Sequence, residues 1–268
     1  MKYRMVALDM DDTLLGDKLT ISNENIKALQ EANKRGVIIT ICSGRASKSI
    51  KSIVKEIELI SKDDYFISYN GAVIEDFNGN NIFYKPIQGD ILKDIIHTGR
   101  DFGVDVQLYN KEDIIVEKYT PRVKSYEESN KYPVIITDDL TRYNESIKIL
   151  FNYSDIDKLE KLQSYIKQNY NDKVNVFFSK PTYLEVINKD ANKGVALEYL
   201  ADHLNIHRNE IIAVGDSFND IYMIEYAGMG VAINNARNEI KNIANYVTKY
   251  NNNEDGVAEV INKFILDN

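Results

Sequence analysis

Three aspartates, Asp9, Asp11 and Asp12, follow directly on Arg4-Met5-Val6-Ala7-Leu8, a short apolar run that reads as a buried strand. Carboxylates gathered at a strand end are costly, because burying an unpartnered charge costs several kcal/mol or forces protonation. A divalent cation would neutralise them, and hard cations such as Mg2+ favour carboxylate oxygens. Open α/β sheets collect ligands at the carboxyl ends of their strands. Asp9–Leu15 therefore proposes an acidic, metal-dependent site, although the stretch alone equally fits a solvated turn with an N-cap Asp.

Three further stretches carry chemistry at comparable places. Ser43-Gly44-Arg45 follows the β-branched run Val37–Cys42. Lys193-Gly194 opens a helical segment, and Gly215-Asp216-Ser217-Phe218-Asn219-Asp220 follows Ile211–Val214. Singly, each has a plain reading: an N-cap serine, a surface lysine, a βα turn. Together they offer five carboxylates (Asp9, Asp11, Asp12, Asp216, Asp220), a hydroxyl and an ammonium. That set suits phosphoryl transfer: one carboxylate as nucleophile, another as acid and base, a metal between the anions, and Lys and Ser on the remaining oxygens.

The elements that must position these groups alternate. Ser22 reads as the N-cap of a helix over Asn23–Arg35, with Ile26, Leu29 and Ala32 on one face and Gly36 after its end. Val37–Cys42 is a central strand, a helix runs to about Ile60, and Tyr65–Ser68 is a third strand. Strand, helix, strand, helix, strand predicts a doubly wound parallel sheet. Asn78-Gly79 then marks a hairpin, and from about Gln88 the rhythm changes. A helix near 90–102, strands near 104–109, 114–116, 146–153, 174–178 and 183–187, and a helix near 155–168 predict an inserted α+β unit with an antiparallel sheet. Residues 117–144 carry no clear pattern. The parallel rhythm resumes at Lys193: a helix to about Leu204, a strand at 211–214, a helix to Tyr226, a strand at 231–233, and helices near 237–245 and 255–266. The expected domains are a core over 1–85 and 188–268 and an insertion over 86–187.

Composition narrows the function. A net charge of −8 argues against broad nucleic-acid binding, which usually needs a basic face, but not against a small anionic substrate at a local metal site. The single cysteine, Cys42, excludes an intrachain disulfide and reads as a packed thiol. The N-terminal apolar run stops at Asp9, too short for a signal peptide, and no run is long enough to cross a bilayer, so the cytoplasm is the expected location. His203 and His207 have helical spacing without the Glu of a zinc protease motif. Gly228-Met229-Gly230 precedes a strand and is no dinucleotide fingerprint. Tyr109, Tyr119, Tyr126 and Tyr183 are expected to pack rather than to bind.

Taken in order, Asp-x-Asp-x-Thr, the strand-end Ser, the Lys and Gly-Asp-Ser-x-Asn-Asp resemble the four motifs of the haloacid dehalogenase-like (HAD) superfamily, in particular its Cof-type phosphatases with an α/β cap of type IIB. Ser68–Ala72, Leu184–Val186, Asn192–Gly194, Gly230–Ala236 and Asn253–Ala258 resemble further stretches of that group. The resemblance covers nearly the whole chain; the cap interior matches in architecture only. It implies a Mg2+-dependent phosphatase of small phosphorylated metabolites, with substrate choice in a cap that closes over the core. By the same resemblance Asp9 is nucleophile and metal ligand, and Asp11 is acid/base and gives its backbone carbonyl to the metal. Asp216 is the third ligand, and Asp220 a ligand through water or an anchor. Ser43 and Lys193, assisted by Gly44 and Asn219, bind the phosphoryl group. The family more often has Gly where this chain has Asp12, which leaves Asp12 a turn or N-cap role. A phosphomutase on the same core, or a phospho-accepting or metabolite-binding protein without turnover, are the alternatives. A positioned acid/base at Asp11 argues against a long-lived phosphoprotein.

Overall fold

The computed structural model describes residues 2–56, 58, 65–130 and 132–267. The chain divides into two units, one of residues 1–84 and 192–268, the other of 85–191. In the first, β1 (Met5–Leu8) leads through a tight turn to α1 (Asn23–Lys34), β2 (Ile38–Cys42), α2 (Ser47–Glu56) and β3 (Tyr65–Ser68). The hairpin β4 (Val73–Asp76) and β5 (Asn81–Tyr84) follows. The inserted unit holds β6 (Ile87–Gln88), α3 (Asp90–Asp101), β7 (Asp105–Tyr109), β8 (Ile114–Val116), α4 (Pro121–Asn130) and β9 (Val134–Ile136). It continues with β10 (Glu145–Ser146), β11 (Lys148–Asn152), α5 (Ile156–Tyr170), β12 (Val174–Lys180) and β13 (Tyr183–Asn188). The first unit resumes with α6 (Lys193–His203), β14 (Ile211–Gly215), α7 (Ile221–Tyr226), β15 (Met229–Ala232), α8 (Asn238–Ile243), β16 (Tyr246–Val247) and α9 (Gly256–Ile261).

Among the described residues the first unit forms one eight-stranded sheet, β16-β15-β14-β1-β2-β3-β4-β5. It is parallel from β16 to β3 and antiparallel across β4 and β5. All four residues of β1 are buried, as a strand covered on both faces requires. Each large side chain so buried stabilises by about 1.5–3 kcal/mol. β1 lies between β2, its successor, and β14, which returns from far along the chain. The carboxyl end of β1 is therefore a point where strand order reverses, the place where open sheets bind ligands. Ser22 caps α1 by accepting the Asn25 N–H at 3.1 Å, and Gly36 takes φ +85 past its end.

The inserted unit has its own core. Leu92, Ile95 and Ile96 of α3 and Leu159, Leu162 and Ile166 of α5 pack with Val106, Leu108, Ile149, Phe151, Leu184 and Val186. Its larger sheet runs β12-β13-β11-β7-β8-β9. The expected strands pair antiparallel, and β9, in the stretch without a clear pattern, adds a parallel pairing with β8.

Other differences from expectation have local causes. The stretch 117–144 contains α4 and β9; over residues 121–128 α4 buries only Val123 and Tyr126, so it shows no apolar period. The chain leaves the insertion after Ala191 rather than after Ile187. Lys189 N–H still donates to the Lys173 carbonyl (3.1 Å), and Asn175 Nδ2 reaches the Lys189 carbonyl at 2.9 Å. The last helix stops at Ile261 and widens into a looser turn over Asn262–Leu266. The helix end expected near Ile60 lies outside the described residues. No helix among the described residues is long and apolar enough to cross a membrane.

Candidate active site

The Asp9–Leu15 stretch leaves β1 as a single irregular turn. Asp9 donates its N–H to the Val214 carbonyl (2.9 Å), which ties the strand end to β14. Asp9 occupies the N-cap position of the turn over Met10–Leu14, yet its side chain caps nothing. The plain reading of an N-cap aspartate therefore fails for Asp9. Asp12 is exposed, takes φ +58, and gives its carbonyl to Asn235 Nδ2 at 2.7 Å. Left-handed backbone favours Gly and tolerates Asp, which explains why both residues suit this position. Asp12 is part of the turn and not an N-cap. Asn252 holds the other end of the turn, donating from Nδ2 to the Leu15 carbonyl (3.0 Å).

Lys193 is fully buried at the start of α6, and its Nζ lies 2.5 Å from Asp9 Oδ1 and 2.6 Å from Asp220 Oδ1. A buried ammonium without partners would be prohibitive; two carboxylates offset its desolvation. Burial pulls the Lys193 pKa down, but Asp220 and Asp9 outweigh it and hold the ammonium above its ordinary range. Asp220 Oδ2 accepts the backbone N–H groups of Asp216 and Ser217, each at 3.0 Å, so both of its oxygens are engaged. Asp216 Oδ1 accepts from Thr13 Oγ1 at 2.9 Å, which links the two acidic loops. Burial, reinforced by Asp220, pushes Asp9 well above the ordinary carboxylate range despite Lys193. The same causes raise Asp216 to about 6.

The other side of the site is built on β2 and β3. Ser43 is buried, and its Oγ accepts the Arg45 N–H at 3.1 Å. Because α2 begins only at Ser47, Ser43 does not cap it. Asn219 Nδ2 donates to Asn70 Oδ1 (3.0 Å), and the Asn70 N–H donates to the Ser43 carbonyl (3.0 Å). Asp11 turns to Arg45: Nε lies 2.9 Å from Oδ2 and the terminal nitrogen 2.6 Å from Oδ1, a forked ion pair.

The structure thus joins Asp9, Lys193, Asp216 and Asp220 into one charged cluster, and connects Ser43, Gly44 and Asn219 through Asn70. The Asp11 carboxylate is held by Arg45, apart from the acidic trio. The sequence left Arg45 and Asn70 unassigned. A cation on a strand end beside an acidic turn was the available signal for the first, and Asn-Gly, a dipeptide that tolerates left-handed backbone, for the second. Cys42 is buried, its thiol pushed up by that burial. His207 caps a short turn by accepting the Asn209 N–H, and His203 packs edge-on to Tyr65.

A divalent cation fits this donor set. Carboxylate oxygens of Asp9, Asp216 and Asp220 lie within 4.8 Å of one another. Three carboxylates face one ammonium, and burial, reinforced by the neighbouring Asp220, holds Asp9 and Asp216 above the ordinary carboxylate range. Hard oxygen donors with unbalanced negative charge suit Mg2+. Asp220 already accepts three hydrogen bonds, whereas Asp9 and Asp216 accept fewer and have more oxygen lone pairs to give.

Comparison with known proteins agrees over the full length. A family model described as haloacid dehalogenase-like hydrolase matches residues 6–261. The chain is similar to 5-amino-6-(5-phospho-D-ribitylamino)uracil phosphatase YcsE of Bacillus subtilis (strain 168), at 32% identity over 263 residues, 98% of this chain and 96% of that protein. Phosphatase YwpJ of the same organism is 32% identical over 288 residues, 96% of this chain and 98% of that one. A crystal structure of a haloacid dehalogenase-like hydrolase from Bacteroides thetaiotaomicron matches with a TM-score of 0.88 at 30% identity, covering 98% of this chain and 100% of that chain.

Proposed function

The chain belongs to the haloacid dehalogenase-like hydrolases and is a phosphatase of that family, and on that premise we propose that it hydrolyses small phosphomonoesters, sugar phosphates or related metabolites, with Mg2+ and through a phosphorylated Asp9. The observation that carries this reading is the buried Lys193 ammonium, which bridges Asp9 and Asp220 at the strand-order reversal with Asp216 beside them.

Each residue takes one role. An Asp9 oxygen bonds to phosphorus as the ester P–O bond breaks, and the Asp11 carboxyl gives its proton to the departing oxygen, releasing the alcohol. Then the Asp11 carboxylate takes a proton from water, the water oxygen bonds to phosphorus, and the bond to Asp9 breaks. Inorganic phosphate leaves with both aspartates restored. Lys193, the Ser43 hydroxyl, the Gly44 amide and Asn219 hold phosphoryl oxygens. Asp9, Asp216 and the Asp11 carbonyl would hold Mg2+, and Asp220 anchors Lys193 and the β14 loop. When bound, the cation supplies charge neutralisation and orients the phosphoryl oxygens. Arg45 pairs with the Asp11 carboxylate in its ionised form, and that ion pair opens for Asp11 to take up and pass on the proton.

The test is phosphate release from a panel of phosphorylated metabolites, with and without Mg2+. The panel includes the phosphoribitylamino-uracil for which YcsE is named. We expect Mg2+-dependent release in the wild type and a loss of at least about a thousandfold in Asp9→Asn. An isomerised sugar phosphate without phosphate release would indicate a mutase. A phospho-Asp9 that persists for hours would indicate a regulatory acceptor. Either outcome overturns the proposal.

A further inference from the structure

The turn after β3 bears on the phosphate-binding side of the site in a way the motifs do not state. Tyr69, Asn70 and Gly71 all take left-handed backbone, with φ of +51, +56 and +98. Outside glycine this conformation costs roughly 1–2 kcal/mol per residue, and such strain persists where the surroundings impose it. Here the surroundings are the phosphate loop. Tyr69 N–H donates to the Arg45 carbonyl and Asn70 N–H to the Ser43 carbonyl, both at 3.0 Å, so the turn is bonded on either side of Gly44. The Asn70 carboxamide lies against Gly44: a Cβ at position 44 would fall 3.0 Å from both its Nδ2 and its Oδ1. Asn70 is 6% exposed, and its Oδ1 takes the Asn219 Nδ2 hydrogen bond from the β14 loop, 149 residues away.

We propose that Asn70 is a positioning residue for phosphoryl binding: its carboxamide fixes Asn219 through Oδ1 and packs against Gly44, holding donors from two loops in one arrangement. The inference rests on the phosphatase reading for its ligand, a phosphoryl group, and on the geometry above for its residue. A left-handed position alone would be served by Gly. The carboxamide is what joins the two loops, so removing it while keeping the backbone isolates the proposed role.

The test uses Asn70→Gly, Asn219→Ala and the double variant, with inorganic phosphate as probe. Phosphate affinity is measured by calorimetry in Mg2+ buffer. KM and kcat are measured on p-nitrophenyl phosphate. Asn70→Gly adopts φ +56 without strain, so its unfolding midpoint should stay near wild type. We expect phosphate affinity to fall and KM to rise about tenfold with kcat within about threefold of wild type, Asn219→Ala to match this, and the double variant to lose no more than either single one. Unchanged phosphate affinity in Asn70→Gly, or losses that multiply in the double variant, overturns the inference. Asn219 is exposed, so Asn219→Ala decides the matter even if the glycine variant does not fold: unchanged phosphate affinity there also overturns it. Should the wild type release phosphate from no ester, the functional reading fails, while the calorimetry still decides the role of Asn70.

Discussion

Asp12 shows how backbone conformation separates residues of the same chemistry. Asp9 and Asp11 carry side-chain roles in the proposed mechanism, whereas Asp12 is exposed and serves through its φ of +58 and its carbonyl. Asp12→Gly should therefore keep turnover within about twofold and unfold at the wild-type temperature or slightly above. Asp12→Val, β-branched at a left-handed position, should cost about 1–2 kcal/mol, a fall in unfolding midpoint of roughly 2–4 °C or more. Equal thermal behaviour of the two variants would remove the conformational explanation. Arg45 is the complementary case: its role depends on its partner Asp11, 34 residues away, and no local pattern announces that pairing.

Elements, rather than single residues, fix the groups proposed to bind phosphate. Lys193 is delivered by the first turn of α6, and that turn is placed by contact with the end of β3. A Cβ on Gly71 would lie 2.3 Å from the Asn192 carbonyl carbon and oxygen, and Gly71 has φ +98 besides. Asn192 also caps α6, accepting the Val195 N–H at 2.9 Å. Gly71→Ala would push this cap, and Lys193 with it, away from Asp9. We expect a stability loss of about 3 kcal/mol or more from combined clash and backbone strain. Activity should fall at least about a hundredfold, since a displacement near 1 Å carries that cost. Denaturant unfolding alongside steady-state rates would check it, and near-normal values in both would show that the two elements are not coupled. The helix and strand positions themselves were largely legible, because Ser22, Gly36 and the apolar runs act locally. α4 and β9 were not, because one buries only a narrow face and the other sits at a sheet edge with Ile135 and Ile136 exposed.

For the whole molecule, the acidic cluster sets a conflict between stability and function. Three carboxylates crowd one ammonium in a buried setting, and burial first, then the charge of Asp220, pushes Asp9 and Asp216 up. Metal-free protein should gain stability from Asp216→Asn, which removes one of the crowded charges. Mg2+ should reverse the order: at about a hundredfold excess over its Kd it stabilises the wild type by roughly 2.7 kcal/mol, and Asp216→Asn much less. Thermal unfolding of both proteins over a Mg2+ titration measures this without any turnover. A wild-type midpoint indifferent to Mg2+, or an identical response in the variant, would remove the cation from Asp216. Net charge of −8 is thus compatible with an anionic substrate, provided the local field is inverted where the substrate binds.

The class of fold was readable from the amino-acid sequence, and so was the convergence of the reactive residue types on one part of the sheet. Alternating apolar strands and capped helices are local patterns, and reactive residues at the ends of parallel strands must converge on one edge of the sheet. The partner of each polar atom followed from the three-dimensional packing alone. Asp11 meets Arg45 across 34 residues, Lys193 meets Asp220 across 27, and Asn219 meets Asn70 across 149. Residue type limits what an atom can bond to, but the partner it has is set by where packing of distant strands and helices leaves it. That is why Asp220 has both oxygens engaged, and why Asn70, given no role by its sequence context, sits between the Ser43 and Asn219 loops.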